Sequence, residues 1–384
     1  MAEVLPDYEG GGIVNLMQSL ISGCGGVPRY PLAAGLSAAE VAAARHVAFW
    51  VIDGLGYDWL SAHLGQGCLA SHRRAPLTSV YPSTTAAAIT SFLTGAPPRR
   101  HGLVGWFTYL RELDNVFAVL PGRLRGGEVL ESYDPRRFTG LAPVFDQLAV
   151  PSYVIAPEHI AHSRFNQAYL GRAKLVTFRT LPELFARATQ VLRTARERVF
   201  LYLYWPELDS IGHEFGMESR EAWSHLRTLD TEFARWLEQI SGSDTLVVVT
   251  ADHGQVDTRA ADHLALDDHP ELAACLVQPF GGEPRAVYCH VHPERRERFL
   301  QYVDGQLGTY LDCRPASELV AAGWYGAGPS HPEISQRIGD YVLVMKDRYV
   351  LKDWLPGELR YRQVGVHGGT RAEEMWVPLI AVRT

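Results

Sequence analysis

Four short apolar runs, each cut off by an acidic, polar or glycine-rich turn, constrain this chain more than any other feature. They are HVAFWVID (46–53), SYVIAP (152–157), VFLYLYW (199–205) and TLVVVTAD (245–252). Unbroken apolar character over so short a length reads as a strand buried on both faces. Between the last two runs, Trp223, Leu226, Leu229, Phe233, Leu237 and Ile240 recur at spacings of three or four. That spacing lays one apolar stripe along a single helix face. Alternating strands and helices predict an α/β fold with a mostly parallel sheet covered on both sides.

The texture changes after His253. From about 262 to 362 the chain is richer in proline and charge, with shorter strands such as AVYCHV (286–291) and YVLVM (341–345). We read 262–362 as an inserted cap subdomain and residues 46–261 with 363–384 as the main domain. WVPLIAVR (376–383) is a further buried-type strand able to return to the main sheet. Residues 1–45 offer one short helix, IVNLMQSLI (13–21), and no other assignable role.

Composition sets outer limits. With 384 residues, 47% of them apolar, the chain can bury the core of one large domain plus a smaller one. A net charge of -7 without a basic run argues against a nucleic-acid polymer as partner. The five cysteines, Cys24, Cys68, Cys275, Cys289 and Cys313, are scattered and form no CxxC, which argues against a disulfide framework and a thiolate metal site. No run approaches the ~18 apolar residues of a membrane span, and the N-terminus lacks the basic-then-apolar order of a leader. These features predict a cytoplasmic protein without a membrane segment; nothing in them specifies an oligomeric state.

Charge gathers where the runs end. FWVI ends at Asp53 in IDGLG, LYLYW is followed by Asp209 and His213 in ELDSIGH, LVVVT ends at Asp252 and His253, and His367 lies in GVHGGT. Open α/β sheets collect functional groups beyond the carboxyl ends of their strands. A single carboxylate there commonly caps a helix, and a single Asp-x-x-x-His pair commonly lies on a solvated helix face. Three aspartates and three histidines at one end of one sheet need cations to balance them. Carboxylates and imidazoles without thiolate suit two divalent ions, zinc first, with manganese or iron also admitted. A separation of four brings Asp209 and His213 onto one face of a helical turn. Asp252 and His253 are adjacent and need a tight turn to act together.

A hydroxyl is offered by SVYPSTTAAAITSFLTG (79–95), where Thr85 opens an alanine-rich helical pattern after Pro82 and Ser83. The start of a helix favours an anion through its dipole and its free amides. Ser83 or Thr84 as a plain N-cap, with Thr85 a first-turn residue, accounts for the same pattern.

VIDGLGYD, PSTTAAAITSFLTG with PPRRHGLVG, ELDSIGH, TADHG and GVHGG occur in an order that resembles the alkaline phosphatase superfamily, most closely its type I phosphodiesterase and nucleotide pyrophosphatase branch. The matching segments cover roughly residues 46–105, 199–260 and 365–383. The resemblance implies a three-layer α/β sandwich with a mostly parallel central sheet and an inserted smaller α+β cap. It implies one ion held by Asp53, Asp252, His253 and Thr85, and a second held by Asp209, His213 and His367. Thr85 is implied as the nucleophile, ten residues before Gly95, with Thr84 as the neighbouring alternative. The implied reaction is two-step, in-line hydrolysis of a small-molecule phosphodiester or pyrophosphate through a covalent phospho-threonine.

One position departs from the branch. Trp106 stands where an asparagine usually holds a phosphate oxygen. A phosphonate hydrolase or phosphomonoesterase on the same scaffold is therefore an alternative, and a non-catalytic metal-binding protein is a third reading. Arg99 and Arg100 read as solvated turn residues, and His159, His162 and Ser163 as a polar loop.

Overall fold

In a computed structural model, which describes residues 3–127, 129–130, 133–358 and 360–384, the apolar runs come together in one seven-stranded sheet. Its strands are β1 (His46–Ile52), β2 (Arg73–Thr78), β3 (Ser152–Pro157), β4 (Lys174–Phe178), β5 (Phe200–Trp205), β6 (Thr245–Thr250) and β7 (Trp376–Arg383). They lie in the order β2-β7-β6-β1-β5-β3-β4. β1 pairs in parallel with β5 and β6, and β3 with β4 and β5. Only β7 runs against its neighbours, β2 and β6. The mostly parallel sheet is as expected, and WVPLIAVR does return to it.

Every residue of β1 is buried, so successive side chains serve opposite faces. The covering helices are α1 (Ile13–Gly23), α2 (Thr85–Thr94), α3 (Leu181–Thr194), α4 (Glu207–Phe215) and α5 (Arg220–Gln239). On one face Phe49 meets Phe92 of α2, ring centroids 5.3 Å apart. On the other, Trp50 meets Phe185 of α3 at 5.1 Å and Phe233 of α5 at 5.7 Å. This is the three-layer sandwich. Burying rings of this size contributes roughly 2–3 kcal/mol apiece, so the apolar layers carry the fold and leave the strand ends free for other chemistry. The stripe on α5 starts later than its sequence suggests. Trp223 is exposed, while Leu226, Leu229, Phe233 and Trp236 are buried.

A second, antiparallel sheet also has seven strands. Residues 262–362 supply four of them: Leu311–Pro315, Tyr341–Met345, Ala286–Cys289 and Gly281–Glu283. The sheet continues through Phe107–Leu110, Asn115–Ala118 and Arg123–Leu124, so this smaller layer draws on two stretches of chain. Residues 1, 2 and 359, which fall in the N-terminal and inserted segments, lie outside the described residues.

The N-terminal segment also has a place. α1 is buried along nearly its whole length. Gln18 Nε2 donates to the Gly95 carbonyl at 2.6 Å, and its Oε1 accepts from the Arg29 amide at 2.7 Å, which ties this segment to the far end of α2. Among the described residues, no helix is long and apolar enough to cross a membrane. The five cysteines are unpaired.

Candidate active site

Three strand ends and one helix start meet at the carboxyl edge of the large sheet. Asp53 follows β1, Asp252 and His253 follow β6, Asp209 and His213 ride on α4 just beyond β5, and Thr85 opens α2. His367 reaches the same place from the segment before β7. Gly54 makes the approach between β1 and α4 feasible. Its φ is +77°, and a Cβ there would lie 3.0 Å from the Asp209 Cα.

The donor atoms form two overlapping groups. Asp53, Asp252 and His253 offer one atom each within 4.8 Å of one another, and so do Asp209, His253 and His367. His213 Nε2 lies 3.3 Å from Asp209 Oδ2, on the same face of α4, as the four-residue spacing predicts. The His253 and His367 rings stack with centroids 3.8 Å apart, and those of His213 and His367 are 5.1 Å apart. Each histidine turns Nδ1 to a carbonyl: His213 to Gly365 at 2.7 Å, His253 to Gly254 at 3.0 Å and His367 to Ser83 at 3.2 Å. A carbonyl only accepts, so Nδ1 carries a proton and Nε2 is the ring nitrogen left to face the cleft and, once deprotonated, to offer a lone pair there.

The carboxylates are left short of partners. Asp53 Oδ2 accepts from the Tyr204 hydroxyl, and Asp252 Oδ1 accepts from the Gly54 and His253 amides. Asp53 Oδ1 and Asp252 Oδ2 are buried with no hydrogen-bond partner among the described residues. Burial, then the charges of Asp252 and Asp209, push the Asp53 carboxyl well above its usual range, and burial raises Asp252 as well. Burial and the two neighbouring histidines hold His367 well below its usual range.

Thr85 Oγ1 faces this cleft, 3.0 Å from His253 Nε2. Thr84 holds the N-cap position, yet its hydroxyl makes no cap bond and donates instead to Glu283 Oε1 at 2.6 Å. Ser83 donates to the Gly369 carbonyl at 2.8 Å. Neither side chain therefore caps α2, and the first-turn amides beside Thr85 remain available to an anion.

Sequence reasoning passed over several neighbours. Tyr204 is hidden inside the apolar run of β5, where alternate residues look alike. Gln255, which donates to the Asp209 carbonyl at 3.0 Å, follows TADHG without a signal of its own. Glu283 lies on the small sheet, far away in sequence. It accepts from the Trp106 amide at 2.6 Å as well as from Thr84, and burial lifts it to about 7. The Trp106 side chain is 37% exposed. Arg99 and Arg100 lie half-buried on the short helix Pro98–His101 rather than in a solvated turn, and Arg99 is spent on Ser330 and the Val320 carbonyl. His159 and His162 are exposed, and Ser163 caps the short helix Arg164–Tyr169.

Comparison with solved structures gives the same architecture. Murine ectonucleotide pyrophosphatase/phosphodiesterase 5, in an inactive threonine-to-alanine form bound to AMP, superposes with a TM-score of 0.65 at 16% identity, covering 87% of each chain. Its human counterpart gives 0.64 at 14% identity over the same shares. Phosphonoacetate hydrolase from Sinorhizobium meliloti, bound to phosphonoformate, gives 0.63 at 19% identity, covering 88% of this chain and 90% of that one. At such identities the likeness is one of fold. No curated protein matches the sequence. A family profile does, from residue 48 to residue 370, and with the cleft it spans it assigns the chain to the type I phosphodiesterase/nucleotide pyrophosphatase family of phosphoester hydrolases.

Proposed function

We propose that this protein is a divalent-metal-dependent hydrolase of small-molecule phosphodiesters or pyrophosphates in which Thr85 is the nucleophile. The observation that carries the reading is a threonine hydroxyl at an uncapped helix start, 3.0 Å from a histidine in a cleft of under-compensated carboxylates. The donors suit the ions such a family uses. Among the described residues Asp53 Oδ1 and Asp252 Oδ2 have no hydrogen-bond partner and lie 3.5 Å from His253 Nε2, and three imidazoles turn Nε2 to the cleft. Asp53, Asp252, His253 and Thr85 would hold one ion, and Asp209, His213 and His367 the other; this thiolate-free set favours zinc, with manganese next. Bound there, divalent ions would supply charge neutralisation and Lewis acidity at the phosphoryl oxygens.

The chain's own groups account for the remainder. Thr85 Oγ1 forms a bond to phosphorus as the leaving group departs from the opposite side, giving a phospho-threonine that water hydrolyses in a second in-line step. The first-turn amides of α2 lie where the phosphoryl oxygens gain charge. The small sheet, with Glu283 on Thr84, closes the cleft on the substrate side. We take the protein to be cytoplasmic, in keeping with its unpaired cysteines.

Thr85→Ala tests the nucleophile. Hydrolysis of bis-p-nitrophenyl phosphate should fall by at least roughly 10³-fold with metal content retained, while Thr84→Ala should cost far less. Wild-type rates in Thr85→Ala would remove the mechanism. Trp106 supports a second reading, phosphonate or phosphomonoester hydrolysis, because a bulky, partly exposed indole with a single N–H replaces the compact asparagine amide there. Relative kcat/KM on a diester, a monoester and a phosphonate separates the two.

A further inference from the structure

Lys352 is a partly buried cation, between segments that border the cleft, that the mechanism above does not use. Its ammonium donates to Gln363 Oε1 at 2.9 Å and lies 5.0 Å from the Tyr361 ring centre and 5.5 Å from that of Trp354. Among the described residues no carboxylate lies within ion-pair distance of it. The neighbouring cation, Arg125, is by contrast balanced by Asp353 and Glu358. An ammonium held by one amide oxygen and two ring faces keeps unused donor capacity and little competing water.

The backbone fixes where that capacity points. The short strand Val350–Lys352 lies against the segment beginning at Glu283, with the Leu351 amide on the Pro284 carbonyl at 2.9 Å. Glu283 reaches Thr84, the neighbour of Thr85, and Gly368 packs so closely on it that a Cβ there would sit 2.7 Å from the Glu283 Cβ. On the other side, Gln363 precedes Val364, whose amide bonds the His213 carbonyl at 2.8 Å. Lys352 is thus flanked on both sides by residues one step from the cleft. Its charge acts on the buried Glu283 carboxyl.

We propose that Lys352 binds a second anionic group of the substrate, a phosphate or carboxylate separate from the phosphorus under attack, and so selects doubly anionic substrates over simple diesters. The proposal rests on the hydrolase reading given above. The Trp354 and Tyr361 rings pack against the ammonium and help hold it in place.

The test compares Lys352→Met and Lys352→Arg with the wild type on three substrates: bis-p-nitrophenyl phosphate, with one charge; ADP, whose second group is a phosphate; and phosphonoacetate, whose second group is a carboxylate. Calorimetric binding of phosphonoformate and a melting curve accompany each variant. Losing a charge-assisted contact costs about 10- to 100-fold in affinity. Lys352→Met should therefore lose at least about tenfold more kcat/KM, chiefly through KM, on ADP or on phosphonoacetate than on the diester, and Lys352→Arg should recover part of it. The substrate that suffers identifies the second group. Weaker phosphonoformate binding with an unchanged melting temperature supports the same conclusion. Equal losses on all three substrates overturn the role of Lys352 while the hydrolase reading stands. A wild-type protein inactive on all three with added divalent metal overturns both.

Discussion

Two sets of fully buried charge lie near one another in this molecule, and only one is balanced. Arg285 and Glu374 are both inaccessible to solvent and pair through two hydrogen bonds of 3.0 and 2.8 Å, while the Arg285 guanidinium also donates to the Tyr349 carbonyl. Asp53 and Asp252 are as deeply buried, yet each keeps an oxygen with no hydrogen-bond partner among the described residues, 3.5 Å from His253 Nε2, and each is lifted by burial. The same chain that compensates one buried carboxylate so completely leaves two others short, at the end of the sheet where His253 and His367 turn Nε2. Leaving buried carboxylates uncompensated costs stability unless a cation arrives, so the contrast sets a structural tie against a candidate cation site.

The largest effect should come from breaking the balanced pair. Glu374→Gln strands the Arg285 charge, because the amide keeps one oxygen for the Gly369 amide but sets an NH2 group against the guanidinium; denaturant titration should show a loss of about 3–5 kcal/mol. A loss under about 1 kcal/mol would erase the contrast. Next comes Glu283, which burial lifts from 4.5 to about 7 against the opposing pull of Thr84, the Trp106 amide, His253 and Lys352. At low pH it is neutral in both folded and unfolded chains and carries no penalty. As pH rises from 4.5 through 7 the unfolded chain ionises first, so the metal-free protein loses up to roughly 3 kcal/mol of stability over that window. Glu283→Gln should flatten that slope in thermal melts; identical slopes in the two proteins would refute the assignment. The smallest effect carries the opposite sign. Asp252→Asn keeps an oxygen for the Gly54 and His253 amides and removes the repulsion, so the metal-free variant should be about 1–2 kcal/mol more stable than wild type while binding divalent ions far more weakly. Destabilisation by the same substitution would show that Asp252 is structural.

The two halves of the cleft differ in how far they could be read from sequence. Asp53, Asp209, Asp252, His253 and His213 announce themselves because each follows a recognisable apolar run, and Thr85 because it opens a helix pattern. Asp209 and His213 do share one face of a helix, and the sheet is mostly parallel, because periodicity and strand ends are local properties. Glu283 and Lys352 had no such signal. Their position depends on antiparallel pairings between residues near 107, 283 and 344, and on the Leu351 amide reaching Pro284, which no local pattern encodes. That the smaller sheet extends beyond 262–362 is likewise not legible, because Phe107–Leu110 and Asn115–Ala118 are too short to reveal which sheet they join. Tyr204 escaped notice for the reverse reason, since a tyrosine in an apolar strand reads as core until its hydroxyl is seen on Asp53.

The central claim, that the unbalanced carboxylates and histidines form a cation site used in catalysis, is tested most directly by elemental analysis of the purified protein combined with bis-p-nitrophenyl phosphate hydrolysis before and after chelation. About two divalent ions per chain, with activity lost on chelation and restored by zinc or manganese, is the predicted result. Metal-free protein that hydrolyses the diester at the full rate, or that stays inactive after the ions are restored, would contradict it.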